Sequence, residues 1–418
     1  MRIVFFSDNF YPEVSGIADS IMILGKQLEK RGHEVRYVGP RYSEKDYQKS
    51  GRSLEEEKED RSFRAFRLPS LPLPFSPTGQ SRVVLPVGGE RSLQFLDSFK
   101  PDIIHTQSFF GTGLEAIKIA KKLRIPLIGT NHTFIDEFFP SSLRRGVILR
   151  SMHSYVAWYY NHCRFVSTPA QGLLRDMQSQ GLKAPAEVIV NPLSLEMFSP
   201  ATESEKKSLK EKYHFDGPTV FYCGRLAPEK HVDTILRALP KVKEKIPDVQ
   251  FVIAGHGSTE KELKSLTRSL SLQANVHFMG FVEPAQLSEF YKASDIFAIF
   301  GTAENQPLTL AQAYAAGLPA VGADARGLRE YITEDTGFVM RYDDAETLAS
   351  KIQFLLENEE TRKKMGENAK EKIEKFEASK ISEKWEDIYE EYGKCVETEK
   401  VRLPEIQTLD ESKIPEAL

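Results

Sequence analysis

Short apolar runs recur along this chain, separated by segments in which apolar residues return at every third or fourth position. The runs are "RIVFFSD", "HEVRYVGP", "FRAFRLPS", "DIIHTQ", "PLIGTNH", "RFVSTPA" and "AEVIVNP", then "TVFYCGR", "VQFVIAGHG", "VHFMGF", "DIFAIFG", "PAVGADA" and "TGFVMR". Strands that alternate with amphipathic helices predict parallel sheets wound with right-handed crossovers, an α/β architecture. The series occurs twice. Between its halves, "NPLSLEMFSPATESEKKS" combines Asn-Pro, Ser-Pro and a polar run, which puts a boundary near Pro200. The expected organisation is two doubly wound, Rossmann-like domains, 1–200 and 201–375, facing each other across a cleft. A helix over 376–395 is expected to cross back to the first domain, and 396–418 reads as a frayed tail. The polar stretch Tyr42–Ser62 reads as a solvated excursion or mobile loop without chemistry.

Within the second series, "AENQPLTLAQAYAAGLPAV" follows the strand "DIFAIF" and predicts a helix over Pro307–Ala316. Pro307 suits the first helical position because its missing N–H has no partner there, and Gly317 with Pro319 supplies the stop. Glu304 lies just before this helix and Gln312 in its second turn. The free N–H groups and partial positive charge of a helix start attract anions, and Leu308 and Thr309 keep donors to offer.

Composition narrows the classes. The 418 residues are 40% hydrophobic and 28% charged, an ordinary globular balance with room for two cores. No apolar run approaches the roughly 18 residues of a membrane span, and the first residues read as a strand, so a cytoplasmic protein is expected. Cys163, Cys223 and Cys395 are distant from one another and odd in number, which offers neither a disulfide framework nor a metal knuckle. The net charge of −4 conceals an asymmetry: residues 1–195 carry 26 Lys/Arg against 20 Asp/Glu, a balance of +6, leaving −10 for the remainder. Such a basic half can face an anionic surface, or its charges can simply be solvated.

Several chemistries find no motif. There is no G-x-G-x-x-G after a strand, no Walker lysine, no G-x-S-x-G elbow and no H-E-x-x-H or D-x-D, so no protein-held metal or cofactor and no nucleic-acid partner is expected. Instead, "FYCGRLAPEKHVDTIL" sets Arg225 at a strand end and Lys230 at the start of the next helix, two cations on the carboxyl edge of the second sheet. Each alone reads as a surface cation. With the helix start at Pro307 on the same edge they form a diphosphate site of guanidinium, ammonium and backbone N–H groups.

The motifs "FYPEVSGIADSI", "DIIHTQSFFGTGLEAIKIAKKLRIPLIGTNHT", "YCGRLAPEKHVDTILRALP", "VIAGHGSTEKEL", "VHFMGFV", "LSEFYKASDIFAIFGTAENQPLTLAQAYAAGLPAVG" and "TGFVM" span nearly the whole chain. In that order the sequence resembles the retaining glycosyltransferases of family four, which have the GT-B fold. The resemblance implies a nucleotide-sugar donor held by the C-terminal domain and an acceptor held by the N-terminal one. It assigns the donor diphosphate to Arg225 and Lys230, with backbone N–H groups of Leu308 and Thr309. Glu304 matches the first glutamate of the E-x7-E motif, which contacts the donor sugar. Gly16 matches the glycine over which the diphosphate passes, and His132 the histidine near the transferred sugar. The motif's second glutamate, the ribose ligand in relatives, is Gln312 here. Pro307 and Arg326 stand where relatives favour glycine.

For the acceptor, "SSLRRGVILRSMHSYVAWYYNHCRF" places Ile148, Met152, Tyr155, Val156 and Tyr159 at helical spacing, with Arg144, Arg145, Arg150 and Trp158 around them. This is either a core helix with a basic end or a surface that docks on an anionic bilayer. With "TNHTFIDEFFP" and "LPSLPLPF" it resembles the glycolipid-forming branch, which implies UDP-glucose as donor, diacylglycerol as acceptor and a peripheral place on the inner membrane face. The alternatives are a soluble or phosphoinositol-type acceptor, or a nucleotide-sugar-binding partner with little turnover.

Overall fold

The computed structural model describes residues 1–13, 15–50, 65–73, 81–85, 89–135, 146–302, 304, 306–325 and 327–393. Its first series of strands comprises β1 (Arg2–Phe6), β2 (Glu34–Pro40), β3 (Ala65–Leu68), β4 (Ser70–Pro72), β5 (Arg82–Val84), β6 (Ile103–Thr106), β7 (Leu127–Thr130), β8 (Phe165–Thr168) and β9 (Ala186–Val188). The second comprises β10 (Thr219–Cys223), β11 (Gln250–Ala254), β12 (Val276–Gly280), β13 (Ile296–Ile299), β14 (Ala320–Ala323) and β15 (Gly337–Met340). They build one sheet in the order β3-β2-β1-β6-β7-β8-β9 and another in the order β12-β11-β10-β13-β14-β15. Every pairing in both is parallel.

Parallel strands covered by helices on both faces read as continuous apolar runs rather than alternating ones. That is the burial seen here: β6, β7, β8, β11, β13 and β14 are buried at every residue. Strand order reverses between β1 and β6 and between β10 and β13. Ligands of wound α/β sheets bind outside the carboxyl ends of the strands at such switch points.

The chain passes between the sheets through residues 189–202 and returns beside the same place. The Leu193 N–H donates to the Phe376 carbonyl (3.1 Å) and the Ala378 N–H to the Leu193 carbonyl (3.0 Å). The helix Ala378–Gly393 then packs under the first sheet. Its Trp385, Ile388 and Tyr389 join Ile3, Phe5, Ile103, Ile128 and Phe165 in one buried cluster.

The structure departs from the sequence reading in several places. Tyr42–Ser62 begins with a helix, Glu44–Lys49, closed by a Ser43–Asp46 capping box. Tyr42, Asp46 and Tyr47 are buried there, and Arg82 pairs with Asp46 at 2.8 Å, so this part is not a solvated excursion; residues 51–64 lie outside the described set. The proline-dense "LPSLPLPF" contributes β4, which pairs antiparallel with β5. The helix expected over Pro307–Ala316 spans Leu308–Ala315, with Pro307 at the N-cap in extended conformation rather than at the first helical position. The tail 396–418 and Arg326 lie outside the described residues.

Candidate functional site

On the first sheet, the carboxyl ends of β1, β6 and β7 carry Asp8, Gln107 and His132 in adjacent positions. The oxygen Gln107 Oε1 can only accept, so at 2.6 Å the His132 ring donates through Nε2–H. Burial drives the imidazole pKa down to about 4. At neutral pH His132 is therefore an uncharged hydrogen-bonding group and not a proton source. Asp8 accepts the Thr112 N–H at 3.0 Å through Oδ1, and its own N–H donates to Ser108 Oγ at 2.8 Å. Its Oδ2 is enclosed without a hydrogen-bond partner among the described residues. Although the residue retains some exposed surface, loss of water around the carboxyl outweighs the Thr112 hydrogen bond and pushes its pKa up to about 6. Nothing in the sequence marked it beyond its place after a strand.

Next to these strand ends the helix Gly16–Lys30 begins, capped by Ser15, whose hydroxyl accepts the Ala18 N–H at 3.2 Å. A Cβ built on Gly16 would meet no atom within 4 Å. Internal packing thus leaves the position open, and the bare backbone faces free space.

The second sheet presents its cations from the turn after β10. Two glycines of "AGHG" support that turn: a Cβ on Gly255 would lie 1.9 Å from the Gly224 carbonyl, and one on Gly257 1.9 Å from that of Leu226. Only glycine permits this approach. Arg225 reaches Glu229 at 2.6 Å, with both side chains partly exposed. Lys230 closes the short turn Pro228–Lys230, one turn before the helix expected to carry it, and its Nζ pairs with Glu304 Oε1 at 2.5 Å. That pair is mostly shielded, at 19% and 16% side-chain exposure. Gly301 makes room for it, because a Cβ there would lie 2.4 Å from the Glu304 carboxylate.

The Pro307 carbonyl accepts the N–H groups of Leu310 and Ala311, so those of Leu308 and Thr309 precede the first intrahelical bond. At the other end the N–H groups of Gly317 and Leu318 bond the carbonyls of Tyr314 and Ala313, a Schellman closure with Gly317 at φ +74°. The buried Tyr291 hydroxyl donates toward both the Thr309 carbonyl (2.9 Å) and Gln312 Oε1 (3.1 Å). Gln306, which the sequence reading did not single out, spans to the interdomain crossing. Its Oε1 accepts the Asn191 N–H at 2.6 Å and its Nε2 donates to the Asn191 carbonyl at 3.1 Å.

Gly16, His132, Arg225 and Leu308, with Asn191 and Gln306, line a single cavity of about 420 Å³ between the two sheets. Lys230, Glu304, Thr309 and Gln312 do not line it; they stand in the loops and helix that carry its Arg225 and Leu308 walls. Among the described residues no group of three His, Cys, Asp or Glu side chains is placed to hold a metal ion.

The stripe Ile148, Met152, Tyr155, Val156 and Tyr159 divides within the helix Val147–Tyr160. Val156 and Tyr159 are core, while Val147 and Ile148 at the other end are 70% and 66% exposed. Arg150 is exposed beside them, whereas Arg144 and Arg145 lie outside the described residues.

Comparison with known proteins places the chain in a family. Residues 14–197 match the family described as Glycosyltransferase Family 4, and residues 203–372 the family Glycosyl transferases group 1. The alpha-monoglucosyldiacylglycerol synthase of Streptococcus pneumoniae is 30% identical over 363 residues, 85% of this chain and 78% of that relative. Its namesake from Acholeplasma laidlawii is 25% identical, covering 77% of this chain and 80% of the relative. The structure of Anabaena HepE in complex with UDP superposes with a TM-score of 0.75 at 18% identity, covering 94% of this chain and 100% of that one.

Proposed function

The chain belongs to glycosyltransferase family four and has the two-domain GT-B fold, and from that premise we propose that it transfers glucose from UDP-glucose, with retention of configuration, to diacylglycerol or another membrane lipid. That it is a hexosyltransferase using a nucleotide-sugar follows from the family itself. The observation that supports a donor bound between the domains is the shared cavity, in which Gly16 and His132 of one domain face Arg225 and the start of the helix Leu308–Ala315 of the other.

In this reading the diphosphate lies over Gly16, between the Arg225 guanidinium and the N–H groups of Leu308 and Thr309. Lys230 joins it by exchanging its Glu304 partner for phosphate oxygens, which releases the Glu304 carboxylate to accept from the sugar hydroxyls. Gln312 lies toward the ribose. As the bond from sugar to diphosphate breaks, these donors stabilise the charge left on the departing oxygens, a contribution of roughly 3–4 kcal/mol for a well-placed donor. The acceptor hydroxyl attacks from the face the diphosphate leaves, and its proton passes to a departing phosphate oxygen. His132, being neutral, orients groups at the reacting carbon by hydrogen bonding.

A lipid acceptor is supported by the relatives named as glucosyldiacylglycerol synthases and by the apolar side chains exposed on the first domain. Leu71, Leu73, Val83, Phe110, Val147, Ile148 and Trp158 are all more than a third exposed there, side chains of the type that can enter a bilayer interface. No helix of the described residues is long and apolar enough to cross a membrane. A solved neighbour bound to UDP-glucose supports the donor.

The test is nucleotide release from UDP-, GDP- and ADP-sugars, with and without diacylglycerol liposomes, in wild type and Glu304→Ala. Release from UDP-glucose that requires the lipid and is lost in Glu304→Ala is the expected outcome. Release without lipid dependence would overturn the lipid acceptor, and donor binding without release on any acceptor would overturn the enzyme.

A further inference from the structure

The helix Gln171–Ser179, which follows β8, has no side chain of its own capping its start. Its first N–H groups are taken from across the cleft. Glu330, in the short helix Leu328–Tyr331 of the second domain, accepts the Gln171 N–H through Oε2 and the Gly172 N–H through Oε1, both at 2.9 Å. Two parallel hydrogen bonds to an ionised carboxylate, at the positive end of a helix, make a strong and directional contact. It lies along a second interdomain cavity of about 400 Å³, walled by Phe134 and Gly172 on one side and Gly327 and Glu330 on the other.

The turn that presents Glu330 is rigid at its base, because Leu328 and Tyr331 are buried in the second core. That turn is also fastened to the donor loop. The Gly327 N–H donates to the Glu304 carbonyl at 3.0 Å, and the Glu330 N–H donates to the Gly327 carbonyl at 2.9 Å. A continuous path therefore runs from the backbone of Glu304, through Gly327 and the Glu330 carboxylate, to the body of the first domain. Gln306, two residues beyond Glu304, makes a second tie to Asn191 at the crossing. Asn191 lies in the crossing itself, where the chain already joins the two domains. The Glu330 contact has no such covalent support and exists only while the two bodies are together.

We infer that Glu330 is a positioning residue for transfer: its carboxylate latches the domain bearing Arg225, Lys230 and Glu304 onto the domain bearing Gly16 and His132. Closure of the cleft and placement of Glu304 then form one equilibrium. Because a closed cleft is needed by both substrates, weakening the latch reduces the competent fraction for donor and acceptor alike. A glutamine cannot replace it, since its amide offers one acceptor and turns an N–H₂ toward a backbone N–H.

Glu330 is exposed, so its replacement should leave the fold intact at the modest cost of a lost helix cap, about 1 kcal/mol, and Arg329→Ala, which removes a surface pair with Asp324, serves as the neighbouring control. The experiment compares wild type, Glu330→Gln, Glu330→Ala and Arg329→Ala by small-angle scattering with saturating UDP and by steady-state kinetics. The expected result is a larger radius of gyration with UDP in both Glu330 variants. Their kcat/KM should fall by about tenfold, equally for donor and acceptor, with the control like wild type. A loss confined to donor kcat/KM, or Glu330 variants indistinguishable from wild type in scattering, would overturn the latch. The kinetic arm rests on the proposed transfer reaction; the scattering arm needs only UDP and decides the question if no donor is turned over.

Discussion

At the ends of β1 and β7, loss of water around two side chains moves their protonation in opposite directions. His132 is held neutral, with its pKa near 4, and Asp8 is held toward its protonated form, with its pKa near 6. The consequence for Asp8 can be measured. Its folded pKa lies above its ordinary value of 3.8, so the group favours the folded state fully below that value, and this contribution is lost as pH rises through 6. Asp8→Asn carries no such titration, and its amide oxygen can still accept the Thr112 N–H. The stability of Asp8→Asn relative to wild type should therefore rise by up to about 3 kcal/mol between pH 3.8 and about pH 7.5. Urea melts of both proteins across that range check it, and a pH-independent difference would contradict a carboxyl whose hydrogen bonds fail to offset its loss of water. The site at the switch point of the first sheet thus contains a carboxyl group that is costly to ionise, which stability alone does not explain.

The helix Leu308–Ala315 shows how an element aims the donor site. Its start frees two N–H groups, its Schellman end is fixed by Gly317, and the Tyr291 hydroxyl holds Gln312 from below. A glutamate at 312 would meet the same hydroxyl, so it would be oriented as the amide is while adding a second accepting oxygen. Gln312→Glu should bind UDP more tightly, by about fivefold for a hydrogen bond gaining roughly 1 kcal/mol. Calorimetric titration reads this directly, and weaker binding would show that the amide N–H₂ makes the contact. Much of this element was legible: the proline, the glycine stop and the acid before it depend on local backbone rules. The same is true of the buried parallel strands, whose apolar runs need no partner to be recognised. What escaped the sequence was set by tertiary contact. The Lys230–Glu304 pair joins residues far apart in the chain, Gln306 matters through Asn191, and Gly255 through the carbonyl of Gly224. The helix Glu44–Lys49 was hidden because its few buried groups, Tyr42, Asp46 and Tyr47, are polar or amphipathic and give no apolar stripe. The stripe of Val147–Tyr160 has the converse problem, since periodicity shows an apolar face but not how far along it the core extends.

At the scale of the molecule, the second domain finishes the first. The helix Ala378–Gly393 lies at the chain's return, yet its Trp385 is 3% exposed among residues of β1, β6 and β7, and its ring lies tilted against that of His105 with centroids 4.4 Å apart. Tyr389 shares a 2.8 Å hydrogen bond with His105, whose other nitrogen bonds Thr130 at 2.7 Å. Around the rim, Glu386 pairs with His33 at 2.6 Å and with Arg31, and Lys384 pairs with Glu187. The apolar face supplies most of the energy, because the rim pairs are partly solvated. Trp385→Ala should therefore cost about 3–5 kcal/mol, and the cost should fall on the first domain, although the residue follows the second in sequence. Calorimetry of the variant is expected to show the first domain unfolding early, with proteolytic cuts concentrated before Pro200, while the second retains the wild-type transition. Equal loss in both domains would mean that they fold as one cooperative unit. If the first domain alone softens, UDP should still bind through the second while transfer fails, since His132 and Gly16 ride on the sheet that the helix supports.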